Sequence, residues 1–385
     1  MKWETVKLGD IADFSNGLNF DKSAYSDGVK LVGVSNFGNR FSPDLSELSE
    51  VSAEVVREAD LLQAGDIVFV RSNGNKELVG RCMLIAEATE PVTYSGFVIR
   101  CRIHNPQKYD PAFFTYHFKD KAFRRAMAGT AVGANIQNLS QGRLSSYAAF
   151  IPDYDSQQRI AGILSAYDTL IENNQRQIKL LEEAAQRLYR EWFIDLRFPG
   201  HESTPIHDGI PEGWERKTVG ELIGKVHRTT QIMTSDYLDD GDIPVIDQSR
   251  DFIAGYTNDS DSLVDLGTPV IVFGDHTRIL KYITFPFAKG ADGTQLINSA
   301  DVHMPQSLLY CSLINVDLSN YHYARHFKYL KAEEILVPAL DIAQSFEKFA
   351  APVFEQIQCL RDENTQAAHA RDRLLPKLMS GEIEV

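Results

Sequence analysis

Ile151-Pro152-Asp153-Tyr154-Asp155-Ser156-Gln157-Gln158-Arg159-Ile160 ends an apolar run on proline and opens a long helical pattern. Val337-Pro338-Ala339-Leu340-Asp341-Ile342-Ala343-Gln344-Ser345-Phe346 does the same at an offset of 186 (338 − 152). Proline lacks an N–H and cannot continue a helix, so each marks the end of a strand and of a domain. The repetition reaches back to the domain starts. Trp3-Glu4 leads to Leu8-Gly9-Asp10-Ile11, and Trp214-Glu215 leads to Val219-Gly220-Glu221-Leu222, at an offset of 211 (214 − 3). The unit is therefore a globular domain, a proline and a long helix, occurring twice. Its ends correspond while its insides mostly do not. Two unlike domains on a repeated frame suggest a protein that reads two different things at a fixed separation.

The helices carry a heptad seam. Ile160, Leu164, Tyr167, Ile171, Asn174, Ile178, Leu181, Ala185, Leu188 and Trp192 step by four and three. In the second helix the same register gives Phe346, Ala350, Val353, Ile357, Leu360, Asn364, Ala367, Arg371, Leu374 and Leu378. Apolar residues at this spacing form a single stripe. A lone asparagine in each stripe, Asn174 and Asn364, costs stability and fixes register. Two single-stripe helices in one chain should bury their stripes on each other, as an antiparallel coiled coil about a pseudo-twofold. Each helix spans roughly 57 Å at ~1.5 Å per residue.

The domains themselves read as α+β. Gly65-Asp66-Ile67-Val68-Phe69-Val70 is a buried strand after a turn, residues 95–102 are another strand, and residues 111–127 have helical spacing. Gly267-Thr268-Pro269-Val270-Ile271-Val272-Phe273 stands in the second domain where the Gly65 strand stands in the first. The expected division is 1–152 for the first globular domain, 153–200 for the central helix, 201–338 for the second domain and 339–385 for the C-terminal helix.

The chain has 385 residues, 43% of them hydrophobic and 24% charged, which suits folded domains. No apolar stretch is long enough to span a membrane, and the N-terminus lacks an apolar signal core, so no membrane association and a cytoplasmic location are expected. Four cysteines without CxxC spacing suggest buried thiols in a reducing compartment. The net charge is −14, and it is unevenly spread. Residues 1–150 carry 17 basic and 17 acidic side chains, whereas residues 201–338 carry 11 and 20. Any attraction to DNA must come from local patches or from partner subunits.

Catalytic signatures do not occur. There is no Walker loop, GxGxxG, HExxH or GxSxG, and no Asn-Pro-Pro-aromatic motif of the kind that methylates an extruded adenine. His322 and His326 lie four apart, but nothing completes a metal site around them. The chain reads as non-catalytic, with no cofactor and no metal of its own.

Several clusters could read DNA. Arg71, Asn73 and Lys76 follow the Gly65 strand among glycines. Lys119, Lys121, Arg124 and Arg125 lie on a helical segment that enters a stretch containing Asn135 and Gln137. In the second domain, His276, Thr277, Arg278 and Lys281 occupy the place of the Arg71 loop. Further on, Tyr323, Arg325, His326 and Lys328 interleave aromatic and basic groups in an otherwise acidic domain. Arginine and lysine neutralise phosphates, while Arg, Asn and Gln can pair with base edges. The plainer reading of each is solvated surface or turn chemistry.

With these features in place, the chain resembles the specificity subunits of type I restriction–modification systems. The resemblance covers essentially the whole chain. It rests on the Trp3-Glu4 opening, the Gly65–Arg71 run, the Pro152…Ile160 helix start, the 273–282 and 323–331 segments, and the Arg373-Leu374-Leu375-Pro376-Lys377-Leu378 tail. It implies two target-recognition domains, each reading half of a split site in double-stranded DNA, held apart by conserved helices. It also implies two adenine methyltransferase subunits as partners, carrying the S-adenosylmethionine, with restriction subunits joining through them. Arg371, standing where Ala185 stands in the first helix, departs from the repeat. The competing reading is a scaffold that bridges two proteins through its helical rod and never touches DNA; it leaves the basic clusters without a role.

Overall fold

The computed structural model describes residues 2–38, 40–75, 78–127, 137–321 and 325–385, with only the backbone of Gln137. The chain divides into two compact units, Met1–Asn173 with Glu363–Val385, and Asn174–Asp362.

In the first unit, β1 (Trp3–Lys7) leads into a single turn, α1 (Leu8–Ile11), and β2 (Ala12–Asn16). There follow β3 (Val29–Val32), β4 (Ser49–Val51), β5 (Ile67–Val70), β6 (Ser72–Asn73), β7 (Cys82–Leu84), β8 (Val92–Tyr94) and β9 (Val98–Ile103). The helices α2 (Pro111–Lys119) and α3 (Lys121–Met127) come next, then β10 (Gln137–Asn138), α4 (Gln141–Ser146) and β11 (Ala148–Pro152). The helical spacing of 111–127 is thus broken at Asp120. Helix α2 starts where Asp110 accepts the Phe113 N–H at 2.8 Å and Pro111 supplies a first-turn residue that needs no donor.

The antiparallel sheet β2-β9-β5-β7 is the centre of this unit. Gly65, at φ +90°, makes the turn into β5. β5 is buried on both faces. Ile67 and Phe69 pack with Cys82, Ile99 and Cys101 against Phe113, Phe114 and Phe118 of α2. Val68 and Val70 face the other way, onto Val32, Val92 and Tyr94 of a second sheet, β4-β3-β8. This is the period-two alternation of a strand between two layers.

The second unit repeats the plan. Here β14 (Glu215–Thr218) and α6 (Val219–Leu222) stand for β1 and α1, after a short hairpin of β12 (Ile206–His207) and β13 (Ile210–Pro211). Strands β15 (Ile243–Ile246), β16 (Gly255–Thr257), β17 (Leu263–Val264), β18 (Val270–Gly274), β19 (Leu280–Ile283), β20 (Phe287–Lys289) and β21 (Thr294–Ile297) form the sheets β16-β15-β20-β17 and β19-β18-β21. Helices α7 (Gln306–Ile314) and α8 (Phe327–Ala332) and strand β22 (Glu334–Val337) complete it. Gly267, at φ +64°, plays the part of Gly65 before β18. In β18, Ile271 and Phe273 join one core, while Val270 and Val272 join the other.

The repeated sequence ends make the same structure twice. β1 pairs antiparallel with β11, Trp3 opposite Pro152, and β14 pairs antiparallel with β22, Glu215 opposite Val337. The single glycine of each short helix is a contact point. A Cβ on Gly9 would lie 3.0 Å from the Ser145 carbonyl oxygen, and one on Gly220 would lie 3.0 Å from that of Lys331. Alanine-free turns of this kind let α1 pack on α4, and α6 on α8, backbone to backbone.

The long helices are α5 (Tyr154–Tyr189) and α9 (Leu340–Ser380). In the first unit Ile160 and Leu164 share a core with Leu374 and Leu378. In the second unit Ile178, Leu181, Ala185, Leu188 and Trp192 share one with Phe346, Ala350, Val353 and Ile357. In each unit the early residues of one helix meet the late residues of the other, so the helices pair antiparallel. The seam is less regular than a strict four-three stepping. Tyr167 and Ile171 are half-buried, and Asp168 takes the inward place beside them. Ile178 and Val353 are also half-buried, since a pair of helices encloses only a narrow stripe, whereas Ile357 and Leu360 are buried. After α5 a π-helical turn, Arg190–Ile194, adds a residue to the register, so Phe193 rather than Trp192 is buried. Asn174 is buried, 3% exposed, and Asn364 is half-buried. Helix α9 runs through Pro352 and Pro376, both exposed, forgoing one N–H donor at each. Of the cysteines, Cys82, Cys101 and Cys311 are buried and Cys359 is exposed, so the expectation of buried thiols fails for the last.

Candidate nucleic-acid interface

β5 delivers the chain to Arg71, whose backbone is tied on both sides. Its N–H donates to the Phe97 carbonyl at 2.7 Å, and its own carbonyl accepts from Leu139 N at 2.9 Å. Its guanidinium donates to the Gly96 carbonyl at 3.1 Å. The next two residues are β6, which pairs with β10, Asn73 opposite Gln137. Asn73 Oδ1 accepts the Asn75 N–H at 2.7 Å, an Asx turn that fixes the loop tip. The structure thus brings the neighbouring Arg71 and Asn73 together with the backbone of Gln137, which is far from them in the sequence. Lys76 and Asn135 lie outside the described residues.

Arg125 on α3 is exposed, while Arg124 is half-buried, with Nη1 3.5 Å from where a Gly80 Cβ would stand. Burial holds the Arg124 guanidinium pKa below its ordinary value. Arg124 lines a cleft of about 400 Å³ with Arg81, Lys119 and Lys121.

The second domain has the same construction. β18 delivers the chain to Asp275, whose N–H donates to the Gly293 carbonyl at 2.7 Å, as Arg71 does to Phe97. His276 N donates to Gln248 Oε1 at 3.1 Å, and Thr277 Oγ1 donates to the Gln248 carbonyl at 2.7 Å. Arg278 turns the loop at φ +62° and reaches Tyr321 O at 2.9 Å through Nη2. Asp275 anchors the segment that enters α8: its carboxylate accepts from Phe327 N at 2.7 Å, and its carbonyl accepts from His326 N at 2.9 Å. The loop after the central strand and the segment before the last short helix are therefore joined in both domains.

His276, Thr277, Arg278, Arg325 and Lys328 are exposed on this construction. Tyr323 lies outside the described residues. Two expected contact residues are not open to a ligand. His326 is 5% exposed, with Nδ1 at 2.9 Å from Asp275 O and Nε2 at 3.2 Å from Tyr321 O, so its ring staples the loop to α8. Lys281 is also 5% exposed, because it lies within β19 rather than in the loop before it. Its ammonium donates to Asp251 O at 2.5 Å and lies 3.9 Å from Asp247, and burial lowers its pKa.

Sequence reading missed three residues. Gln248 and Asp275 organise the second loop, and no local pattern marks them. Phe97 is 57% exposed beside Arg71, at a position read as strand interior; the strand begins one residue later.

The family model for the type I restriction modification DNA specificity domain matches residues 1–183. The putative type I restriction enzyme MjaX specificity subunit of Methanocaldococcus jannaschii is 25% identical over 412 residues, covering 100% of this chain and 94% of that one. The type I restriction enzyme HindI specificity subunit of Haemophilus influenzae is 20% identical over 483 residues, covering 99% of both. Over its whole length the chain is similar to type I restriction enzyme specificity subunits. The crystal structure of a type I system S subunit from M. genitalium shares the fold, at a TM-score of 0.59 and 15% identity over 98% of this chain and 96% of that one. Specificity subunits are the non-catalytic members of their systems, in line with the missing catalytic signatures. Among the described residues no helix is long and apolar enough to cross a membrane.

Proposed function

We propose that this specificity subunit confers DNA sequence selectivity on a type I restriction–modification complex, with each globular domain reading one half of a split, asymmetric site. The observation that carries the reading is the duplicated loop: unlike side chains, Arg71 and Asn73 in one domain and His276, Thr277 and Arg278 in the other, occupy the same place on the same frame. Equal placement with unequal chemistry is what two different half-sites require. Arg325 and Lys328 beside the second loop and Arg124 and Arg125 near the first are the phosphate or base contacts we assign.

The subunit assembles with methyltransferase and restriction subunits. We assign two methyltransferase subunits, one to each repeat of the frame, and place the S-adenosylmethionine in them. The net charge of −14 fits this division, since partners then supply most of the phosphate neutralisation. Acting on chromosomal DNA puts the complex in the cytoplasm.

The test is co-expression with its methyltransferase and genome-wide mapping of methylated adenines. A bipartite, non-palindromic motif is expected. Exchanging residues 201–338 for the corresponding domain of a relative should change one half-site and leave the other. Methylation without a bipartite motif, or both half-sites changing together, would overturn the reading.

A further inference from the structure

Phe97 is a large apolar side chain, 57% exposed, on a backbone tied by hydrogen bonds to its neighbours. Its carbonyl accepts from Arg71 N at 2.7 Å, and Val98 after it pairs with Val70 in the central sheet. The turn before it is clamped as well. Gly96 N donates to Leu18 O at 2.6 Å, and Leu18 bridges to Ser95. The fit leaves no room for side chains: a Cβ on Gly96 would lie 2.1 Å from Asn19 Oδ1, and one on Gly17 would lie 2.2 Å from Tyr94 O. A single exposed apolar residue is ordinary on a protein surface. This one stands on a hydrogen-bonded turn next to Arg71, whose guanidinium donates to Gly96 O at 3.1 Å.

The neighbours indicate which part of DNA it would meet. Arginine pairs with the O6 and N7 of guanine, and asparagine with the N6 and N7 of adenine, all in the major groove. The thymine C5-methyl is displayed in that groove and is the apolar mark that phenylalanine can read there. We propose that Phe97 is a specificity residue of the first domain, its ring packing on the C5-methyl of a thymine in the first half-site. The proposal rests on the reading of this domain as a DNA reader and adds a base identity to it. The second domain has no ring at the corresponding place, where Gly293 stands and accepts from Asp275 N.

The experiment uses the full subunit complexed with its methyltransferase, and duplexes in which each thymine in turn is replaced by deoxyuridine, which lacks only the methyl. In the parent complex, one deoxyuridine in the first half-site should weaken binding about fourfold, the weight of one methyl-sized group taken from water. Phe97→Ala should bind the normal duplex about fourfold more weakly and be indifferent to that same replacement. Phe97→Leu should keep part of the discrimination. Thymines of the second half-site should respond alike in all three proteins. A parent indifferent to every deoxyuridine of the first half-site, a Phe97→Ala complex that still discriminates, or a first half-site without a T·A pair would each overturn the proposal. So would a rise in 2-aminopurine fluorescence that depends on Phe97, since that marks a wedge between bases. If Arg71→Ala and Asn73→Ala also leave first-half-site selectivity intact, the DNA-reading assignment of the domain fails; if they relax it while Phe97→Ala does not, only the role of Phe97 fails.

Discussion

Arg371 donates from Nη1 to Asp168 Oδ1, and Tyr116 donates its hydroxyl to Asp168 Oδ2 at 2.5 Å, joining α9, α5 and α2 within the first unit. The helix repeat, at its offset of 186 (338 − 152), puts Phe354 at the place of Asp168 and Ala185 at the place of Arg371. Tyr310, five residues after Pro305 as Tyr116 is five after Pro111, holds the place of Tyr116. There the contact is aromatic: Tyr310 and Tyr282 lie 5.3 and 4.6 Å from Phe354, centroid to centroid. One node of the frame is thus built twice, with a buried ion pair in one copy and an apolar cluster in the other. The departure of Arg371 from the repeat is compensated by Asp168.

Arg371→Ala should destabilise the first unit by about 3–5 kcal/mol, because it leaves a nearly buried carboxylate without its cation. Asp168 is only 6% exposed, so water cannot replace the guanidinium without opening the helix pair. The double change Asp168→Phe with Arg371→Ala, copying the second unit, should recover most of that loss. Urea denaturation followed by the fluorescence of Trp3, with Trp192 and Trp214 replaced by phenylalanine, would measure both. A double variant no better than Arg371→Ala alone would show that the two nodes are not interchangeable.

Gly9→Val and Gly220→Val should each cost about 1–3 kcal/mol, the usual penalty for forcing atoms into a filled contact. The obstacle is backbone, Ser145 O in one unit and Lys331 O in the other, so it cannot rotate aside. Thermal unfolding of each variant checks this, and a valine tolerated at either position would remove the close approach as the reason for these glycines.

The parts of the fold that were legible in the sequence are those made by local pattern. Pro152 and Pro338, the paired Trp-Glu openings and the apolar stripes of α5 and α9 each declare themselves within a few residues. The seam drifted where tertiary contacts intervened: Asp168 turned inward because Arg371 and Tyr116 are there to meet it, and the π turn moved Phe193 into the place expected for Trp192. For the candidate interface, residue type and clustering singled out loops but could not separate exposed from structural members. His326 and Lys281 have the chemistry of DNA contacts, yet they are committed to Asp275, Tyr321 and Asp251 by pairings that only folding creates. Phe97 carries no charge, so a search for DNA-binding chemistry passes over it.

His117 gives the first unit an acid-sensitive element. Its ring is buried among Phe113, Phe118 and Phe123, and burial lowers its pKa to about 4. The unfolded chain binds a proton at the ordinary imidazole value of ~6.5, so it takes up protons where the folded chain does not. The contribution is complete above that value and is lost as pH falls towards 4. Between pH 7.5 and 5 the loss should be about 2 kcal/mol. His117→Phe should flatten this part of the profile in urea titrations at the two pH values. A variant that loses as much stability as the parent over that range would clear His117 of the role.

Arg325→Ala should act on one half-site only. Arg325 is exposed just ahead of His326, which holds the segment to Asp275, so removing the side chain should leave the loop framework in place. If Arg325 contacts a base edge, the change costs about 1–3 kcal/mol and relaxes one position of the second half-site. If it contacts a phosphate, it weakens all sequences alike and reduces the salt slope by about one. The reading expects the first of these, with the sequence preferred by the first domain unchanged. Methylation of a panel of duplexes, each altered at one base pair and assayed at two salt concentrations, separates the outcomes. A uniform loss with a shallower salt dependence would move Arg325 to the phosphate backbone, and methylation of the whole panel as by the parent would remove it from the interface.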